Sequence, residues 1–285
     1  MIRCSEASLA VGEPLAGTAV DSVRTWFLLE LNHVWARKAI ETEAIGGAVR
    51  RQLEAWLGAV DGSRLQLIRR PGRPSRRPTF TVVDAVSKRL SRVELDDPQD
   101  LAALDIQSLL ADGAPMTQSM ALVCVHGRRD RCCAEHGSAV FRAMARRDVD
   151  VWQTSHLGGH RFAACALWLP DGLMFGRLRA EHVDAFVDAH RARALGELDL
   201  FRGRCAYDRP TQAAEIFLRR RERDLAIDSL AWRSTDLAGD SNWRVRFAAG
   251  ENEHEIDVVR EASDAVRPAS CGGEPEPVSW FIEGS

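Results

Sequence analysis

Residues 120–133 read MALVCVHGRRDRCC, and residues 150–160 read DVWQTSHLGGH. Each stretch begins as a run of strand length and continues into a loop that carries thiols or imidazoles. Residues 135–146, between the two stretches, have the pattern of a helix. The sequence therefore predicts strand, helix and strand here, with candidate functional residues where the strands end, as is usual for sites built on a rigid scaffold.

The pattern continues on both sides of this segment. Residues 162–178 read FAACALWLPDGLMFGRL, in which Pro-Asp-Gly separates two apolar runs and predicts a hairpin turn, and residues 180–194 predict a helix. Upstream, strands at 24–31, 64–69, 79–85 and 88–95, a helix at 45–57 and a short helix near 98–104 give the same order more weakly. We predict an α/β fold with two βαβββα halves.

After residue 195 the pattern changes. A charged helix is predicted over residues 210–225, with Asp208 as its N-cap and Pro210 in its first turn, where proline loses no hydrogen bond. The run RRRER in this helix is interpreted as a solvated face, and strands follow near 229–235, 243–248 and 255–260. The predicted domains are an N-terminal half at 1–115, a second half at 116–198 and a C-terminal α+β accessory segment at 199–285.

Composition excludes several classes of protein. A net charge of -3 and a pI of about 6.3 argue against backbone-driven nucleic-acid binding, so the basic loop at residues 69–77, RRPGRPSRR, is interpreted as an exposed connector. No apolar run has the length of a signal peptide or a membrane span. The seven cysteines are an odd number, which suits reduced thiols and a cytoplasmic protein, with no membrane partner and no nucleic acid expected.

The segment HLGGH predicts a loop that surrounds a metal centre. Histidines four positions apart could share one face of a helix, but the two glycines between them would cost such a helix roughly 2 kcal/mol relative to alanine. In a loop, the same glycines let the backbone turn tightly, so that His156 and His160 converge. Of the other histidines, His126 is the first candidate for an additional ligand.

The thiols around residue 130 are a second group of candidate ligands. Cys124 lies at the end of an apolar strand, where a lone cysteine is usually a small buried hydrophobe, but further thiols follow at Cys132 and Cys133. Adjacent side chains point in different directions, so one of these two is interpreted as a bystander.

The strings C-x-H-G-x-R-D-x-C-C and H-L-G-G-H-R-F-A, followed by P-x-G-x-x-x-G-R, resemble the sucrase/ferredoxin-like family, whose members include thioredoxin-like 2Fe-2S ferredoxins. The segments PLAGTA at 14–19 and YDRPTQAAE at 207–215 are similar too. The resemblance implies thioredoxin-like halves, the second of which binds a 2Fe-2S cluster through Cys124, Cys133, His156 and His160. The N-terminal half would then be a degenerate copy.

The resemblance implies one-electron transfer with a separate redox partner protein, a reductase or an acceptor. An oxidised cluster held by two thiolates and two neutral imidazoles is formally neutral, so its potential should exceed that of an all-cysteine cluster. We expect an electron carrier rather than a catalyst. Sucrase activity has no support, because no pair of carboxylates is placed for glycoside hydrolysis.

Several alternatives remain open from the residues alone. The same four side chains could bind zinc in a structural site, or the chain could sense iron or redox state. A thiol redox enzyme is less favoured because C-x-x-C is absent. A phosphatase loop would need an arginine six positions after its cysteine, where the sequence has Asp130 after Cys124 and Ala139 after Cys133.

Overall fold

The computed structural model describes residues 3–72 and 77–284, so residues 73–76 of the basic loop lie outside the described residues. The described part contains six α-helices and fourteen strands, besides short 3-10 turns. The helices are α1 Cys4–Ala10, α2 Gly47–Ala59, α3 Ile106–Ala111, α4 Arg131–Met144, α5 Val183–Arg191 and α6 Arg209–Glu222. The strands are β1 Thr25–Glu30, β2 Ser63–Arg69, β3 Thr79–Asp84, β4 Arg89–Glu94, β5 Ala114–Pro115, β6 Met120–Cys124, β7 Asp150–Thr154, β8 Ala166–Leu169, β9 Leu173–Phe175, β10 Phe201–Arg204, β11 Ala231–Gly239, β12 Asn242–Ala249, β13 Asn252–Pro268 and β14 Pro275–Glu283.

Ten strands form one large mixed sheet in the order β10-β9-β8-β6-β7-β2-β1-β3-β4-β5. Strands β1 and β2 are parallel and are joined through α2, and β6 and β7 are parallel and are joined through α4. Strands β2 and β7 pair antiparallel over a short register, from Ile68 with Thr154 to Arg69 with Gln153. This short ladder joins the strands of residues 25–94 to those of residues 120–204.

The central strands are buried on both faces, which explains their continuous apolar sequences. Every residue of β1 and of β6 is buried, as expected for strands whose two faces are both covered. Helix α4 covers the region next to β6, and its inward positions include Val140 and Met144. Asp130 begins this helix as an N-cap, accepting a hydrogen bond from the backbone N–H of Cys132 at 2.9 Å.

The C-terminal part forms a separate four-stranded antiparallel sheet, in the order β11-β12-β13-β14. Helix α6 packs against it and against β10, and most of the helix is buried. Asp208 caps α6 through the N–H of Thr211, as predicted. The interpretation of RRRER as a solvated face is wrong at its first residue: Arg219 is fully buried and donates to the equally buried Glu215 at 2.9 Å.

The structure confirms the main predicted elements and the hairpin turn between β8 and β9. Helix α4, however, begins at Arg131 rather than near residue 135, because Asp130 supplies the cap. Helices α1 and α3 and the short strands β5 and β10 were not predicted, and the short helix predicted near residues 98–104 is a 3-10 turn. Strand β10 lies in the predicted accessory segment yet pairs with β9 of the large sheet. The domain boundaries and the two-half architecture stay predictions.

Candidate metal centre

Cys124 and Cys133 meet where β6 ends and α4 begins. Cys124 is the last residue of β6 and is paired in register with Thr154 of the parallel strand β7. Only six residues separate Cys124 from the first residue of α4, and Cys133 lies in the first helical turn. Both thiols are buried, each with 1% exposure. The short connection therefore places two sulfur ligands at one edge of the sheet.

Gly137 lets the helix approach the strand. A Cβ atom at this position would lie 1.9 Å from the backbone oxygen of Cys124, far inside van der Waals contact. Rotation of a side chain could not relieve this overlap, because the obstructing atom belongs to the backbone. The absence of a side chain at Gly137 is thus what allows α4 to bring Cys133 against Cys124.

The predicted imidazole loop lies beside these thiols. Gly158 and Gly159 have φ values of +97° and +69°, which explains why two glycines stand between the histidines. The rings of His156 and His160 lie 5.0 Å apart between centroids. The Nδ1 atom of His156 is 3.8 Å from the sulfur of Cys133. Because β6 and β7 are parallel, the ends of both strands reach the same edge of the sheet.

Several side chains hold the backbone of this loop. His156 donates its backbone N–H to Nδ1 of His126 at 3.2 Å, and its carbonyl accepts from Arg64 at 3.2 Å. The buried Arg202 donates to the carbonyl of Gly158 at 3.0 Å and also to the carbonyl of Thr18. His126, considered above as an extra ligand, therefore positions His156 instead. Sequence reasoning missed Arg64 and Arg202, whose roles depend on contacts from distant strands.

The local environment favours a thiolate at Cys124. The thiol of Cys133 donates to its sulfur, and His156 adds a second favourable interaction, so the pKa of Cys124 lies well below that of a free thiol, whereas the same hydrogen bond raises the pKa of Cys133. Burial lowers the pKa of His160, and the neighbouring His156 lowers it further. A neutral imidazole and a thiolate are the protonation states in which these side chains bind metals.

The four predicted residues form a set that suits a metal centre. The ligand atoms of Cys124, Cys133 and His156 all lie within 4.8 Å of one another. His160 stands beside this group, and within the described residues neither of its two buried ring nitrogens makes a hydrogen bond. Two sulfurs and two available imidazoles are donors that iron and zinc both accept. The assignment of these four residues as ligands remains a prediction.

Cys132 was interpreted as a bystander beside Cys133, and the structure places its side chain elsewhere. Its sulfur lies 3.6 Å from that of Cys4 and 3.3 Å from that of Cys271, with Asp130 next to them. No pattern in the sequence connects these residues, since Cys4 and Cys271 each lie more than 120 positions from Cys132. The two adjacent cysteines therefore belong to two different groups of side chains.

The sequence profile of the family described as sucrase/ferredoxin-like matches residues 15–203, about two thirds of the chain. The chain belongs to the sucrase/ferredoxin-like family. The resemblance noted from the motifs is thus confirmed. The region that matches the sucrase/ferredoxin-like profile runs from the segment before β1 to β10, and it contains all four predicted ligands. Helix α6 and the four-stranded sheet lie beyond it.

Other similarities of this sucrase/ferredoxin-like chain are more limited. A protein of Meyerozyma guilliermondii named altered inheritance of mitochondria protein 32 is 27% identical over 99 residues, and the match covers 31% of this chain and 35% of that protein. The chain thus spans about a third of the length of this curated relative. A cysteine-to-serine variant of the thioredoxin-like [2Fe-2S] ferredoxin of Aquifex aeolicus is 19% identical, with a TM-score of 0.26, and covers 29% of this chain and 96% of its own. Another structure of that ferredoxin is 20% identical, with a TM-score of 0.23, and covers 27% of this chain and 82% of its own.

Proposed function

We propose that this chain binds a 2Fe-2S cluster through Cys124, Cys133, His156 and His160 and transfers single electrons to or from a separate redox protein. The single observation that carries the proposal is the convergence of these side chains at the shared edge of β6 and β7, in a chain of the sucrase/ferredoxin-like family. When bound, such a cluster accepts and releases one electron. The proposal treats the second strand unit as thioredoxin-like and the first as a copy without ligands.

The charges and positions of the four proposed ligands suit a 2Fe-2S cluster. The two thiolates would contribute two negative charges, and the two imidazoles none, so an oxidised cluster would be formally neutral. The half-buried imidazoles lie nearer the surface than the fully buried thiols. Arg202, Arg64 and His126 hold the imidazole loop, which would keep the histidines in place during a change of charge.

The partner would dock on the side of the imidazoles. His160 keeps 14% of its side chain exposed, whereas Cys124 and Cys133 are each only 1% exposed. An electron donor or acceptor that approaches the histidine loop would come closest to the centre. Among the described residues, no helix combines the length and the apolar character needed to cross a bilayer. A cytoplasmic location remains part of the proposal.

A count of iron and acid-labile sulfide in the freshly purified full chain tests the proposal. We expect about two of each per chain, a coloured protein, and reversible one-electron reduction seen by electron paramagnetic resonance. Cys133→Ser should lose most of the iron and sulfide. The matched control is Cys205→Ser, which alters a thiol that is just as buried but whose partner is Trp26, and it should keep both.

Two results would overturn the proposal. A colourless protein with a single zinc bound by Cys124, Cys133 and the two histidines would establish the structural alternative. Iron that stays bound after Cys133→Ser but leaves after Cys132→Ser would show that the choice between the adjacent thiols was wrong. His160→Cys gives a further check, because an added thiolate should keep a cluster but lower its reduction potential.

A further inference from the structure

We propose that Cys4, Cys132, Cys271 and Asp130 form a second metal site, distinct from the Cys124 group, which binds a zinc-class divalent cation. The four side chains come from three parts of the chain: the start of α1, the start of α4 and the loop between β13 and β14. Their ligand atoms all lie within 4.8 Å of one another. Cys4 and Cys132 are fully buried, and Cys271 is half-buried.

The separations match the edges of a tetrahedron around one ion. The sulfurs are 3.6 Å apart between Cys4 and Cys132, 3.3 Å between Cys132 and Cys271, and 3.7 Å between Cys271 and Cys4. A zinc–sulfur distance of about 2.3 Å with tetrahedral angles gives an edge of about 3.8 Å. The carboxylate oxygens of Asp130 lie 3.7 and 3.8 Å from the sulfur of Cys4, near the sulfur–oxygen edge of about 3.5 Å.

Three similar sulfur separations favour a shared ion over a disulfide. A disulfide joins two sulfurs at about 2.05 Å and would leave the third thiol and the carboxylate unused. Here no pair is set apart from the third sulfur, and the carboxylate completes a four-donor set. Three thiolates with one oxygen ligand suit zinc, which prefers four-coordinate tetrahedral sites rich in sulfur.

Neighbouring donors orient the ligands, as they do in established metal sites. The backbone N–H groups of Cys132 and Cys271 each donate to one oxygen of Asp130, both at 2.9 Å, which fixes the plane of the carboxylate. The hydroxyl of Ser5 donates to the sulfur of Cys132 at 3.2 Å. These bonds leave further lone pairs on Asp130 and on the sulfurs for an ion.

The position of the site suggests what it does for the molecule. A bound ion would tie the start of α1 and the β13–β14 loop to the first turn of α4, the same turn that carries Cys133. Asp130 lies 3.8 Å from Nε2 of His160, so the two candidate centres are neighbours. The ion would join residues 267 positions apart in sequence, and such long-range links restrict the unfolded chain most. The second site would thus hold α1 and the β13–β14 loop against the cluster region.

Zinc content and zinc-edge X-ray absorption of the full chain, purified from zinc-supplemented cells, test this proposal. We expect about one zinc per chain, surrounded by three sulfurs and one oxygen. Cys271→Ser is the chosen variant, because Cys271 is the most exposed ligand and lies in a loop. This variant should lose the zinc while it keeps its iron and sulfide, and Cys205→Ser should keep all three. The absorption spectrum of the unaltered chain tests the site even if the variant folds poorly.

These measurements distinguish a failure of the zinc proposal from a failure of the proposed cluster. A zinc surrounded by two sulfurs and two nitrogens, or a zinc that survives Cys271→Ser but leaves after Cys124→Ser, would place the ion at the first site and overturn the second. A protein without zinc, or one in which mass spectrometry of the alkylated chain finds a disulfide among Cys4, Cys132 and Cys271, would also overturn it. Failure of the cluster alone would appear as loss of iron and sulfide with zinc retained.

Discussion

Two units of the large sheet share an element order but differ in the connection between their first strand and their helix. Residues 25–94 and residues 120–175 both run strand, helix, strand, strand, strand, and their sheet orders are β2-β1-β3-β4 and β7-β6-β8-β9. In the first unit, sixteen residues connect β1 to α2, and they bury Trp35 and Ile45. In the second unit, six residues connect β6 to α4. The short connection and Gly137 bring helix and strand close enough for two thiols to meet.

The comparison shows that a common strand order is not enough to build a site. The connection in the first unit carries apolar side chains into the core and places no thiol at the strand end, where Glu30 stands instead. In the second unit, close backbone contact between α4 and β6 takes the place of this apolar packing, and the four candidate ligands lie near the ends of the strands. Changes that alter the helix–strand approach should therefore affect the second unit far more than the first.

The largest effect is expected from Gly137→Ala. The new Cβ would overlap the carbonyl of Cys124, so α4 must move away from β6. We expect a loss of about 3 kcal/mol in the free energy of unfolding, at the upper end for overpacked sites, together with a loss of bound iron. Urea unfolding and iron analysis measure the two effects.

Gly58→Ala in α2 is the matched change in the first unit, because a Cβ there would have no neighbour within 4 Å among the described residues. It should stabilise the protein by up to about 1 kcal/mol through helix propensity. Equal effects of the two substitutions would show that the close approach at Gly137 does not matter.

Arg202→Met should have the next largest effect. The guanidinium is fully buried and donates to the carbonyls of Gly158 and Thr18. Methionine would leave these acceptors without a donor, at a cost of about 2 kcal/mol, and would loosen the histidine loop. Thermal unfolding and the rate of iron loss to a chelator check both consequences. Arg51→Met, at an exposed position of α2, should change stability by less than about 0.5 kcal/mol.

The side chains packed against the two units should also differ in their response to acid. His190 of α5 is buried among Trp168, Phe175 and Phe186, and burial lowers its pKa to about 4. Asp171 and Arg193 are the charged groups that act on it. Because the folded protein disfavours protonation, its contribution to stability is complete above the unfolded pKa of about 6.5 and falls as pH drops towards 4.

Between pH 7 and pH 5 this group should cost about 2 kcal/mol of stability. His190→Leu should remove that part of the pH dependence, measured by urea unfolding at both values. In the first unit, Phe27, Trp56 and Phe80 pack against one another, and among the described residues no histidine ring contacts any of these three. A pH dependence of stability that stays the same after His190→Leu would contradict the role given to His190.

Much of the fold was accessible from local patterns. Continuous apolar runs predicted β1 and β6, the Pro-Asp-Gly turn predicted the β8–β9 hairpin, and Asp208 predicted the start of α6. The N-cap at Asp130 was missed, although Asp is a strong cap, because the arginines and cysteines after it have no helical periodicity. The solvated interpretation of Arg219 failed because the strands that bury it are visible only in three dimensions, although its partner Glu215 lies four positions earlier on the same helix.

By itself, the sequence determined the strand and helix order, the loop character of HLGGH and the spacing of the four predicted ligands, since periodicity, glycine and proline act over a few residues. Only the tertiary structure decided that β2 pairs with β7, that Arg202 reaches the histidine loop, and that Cys132 turns towards Cys4 and Cys271 while Cys133 turns towards Cys124. These contacts join residues far apart in the chain. Long-range packing determines these contacts, and such packing produces no periodic pattern in the sequence.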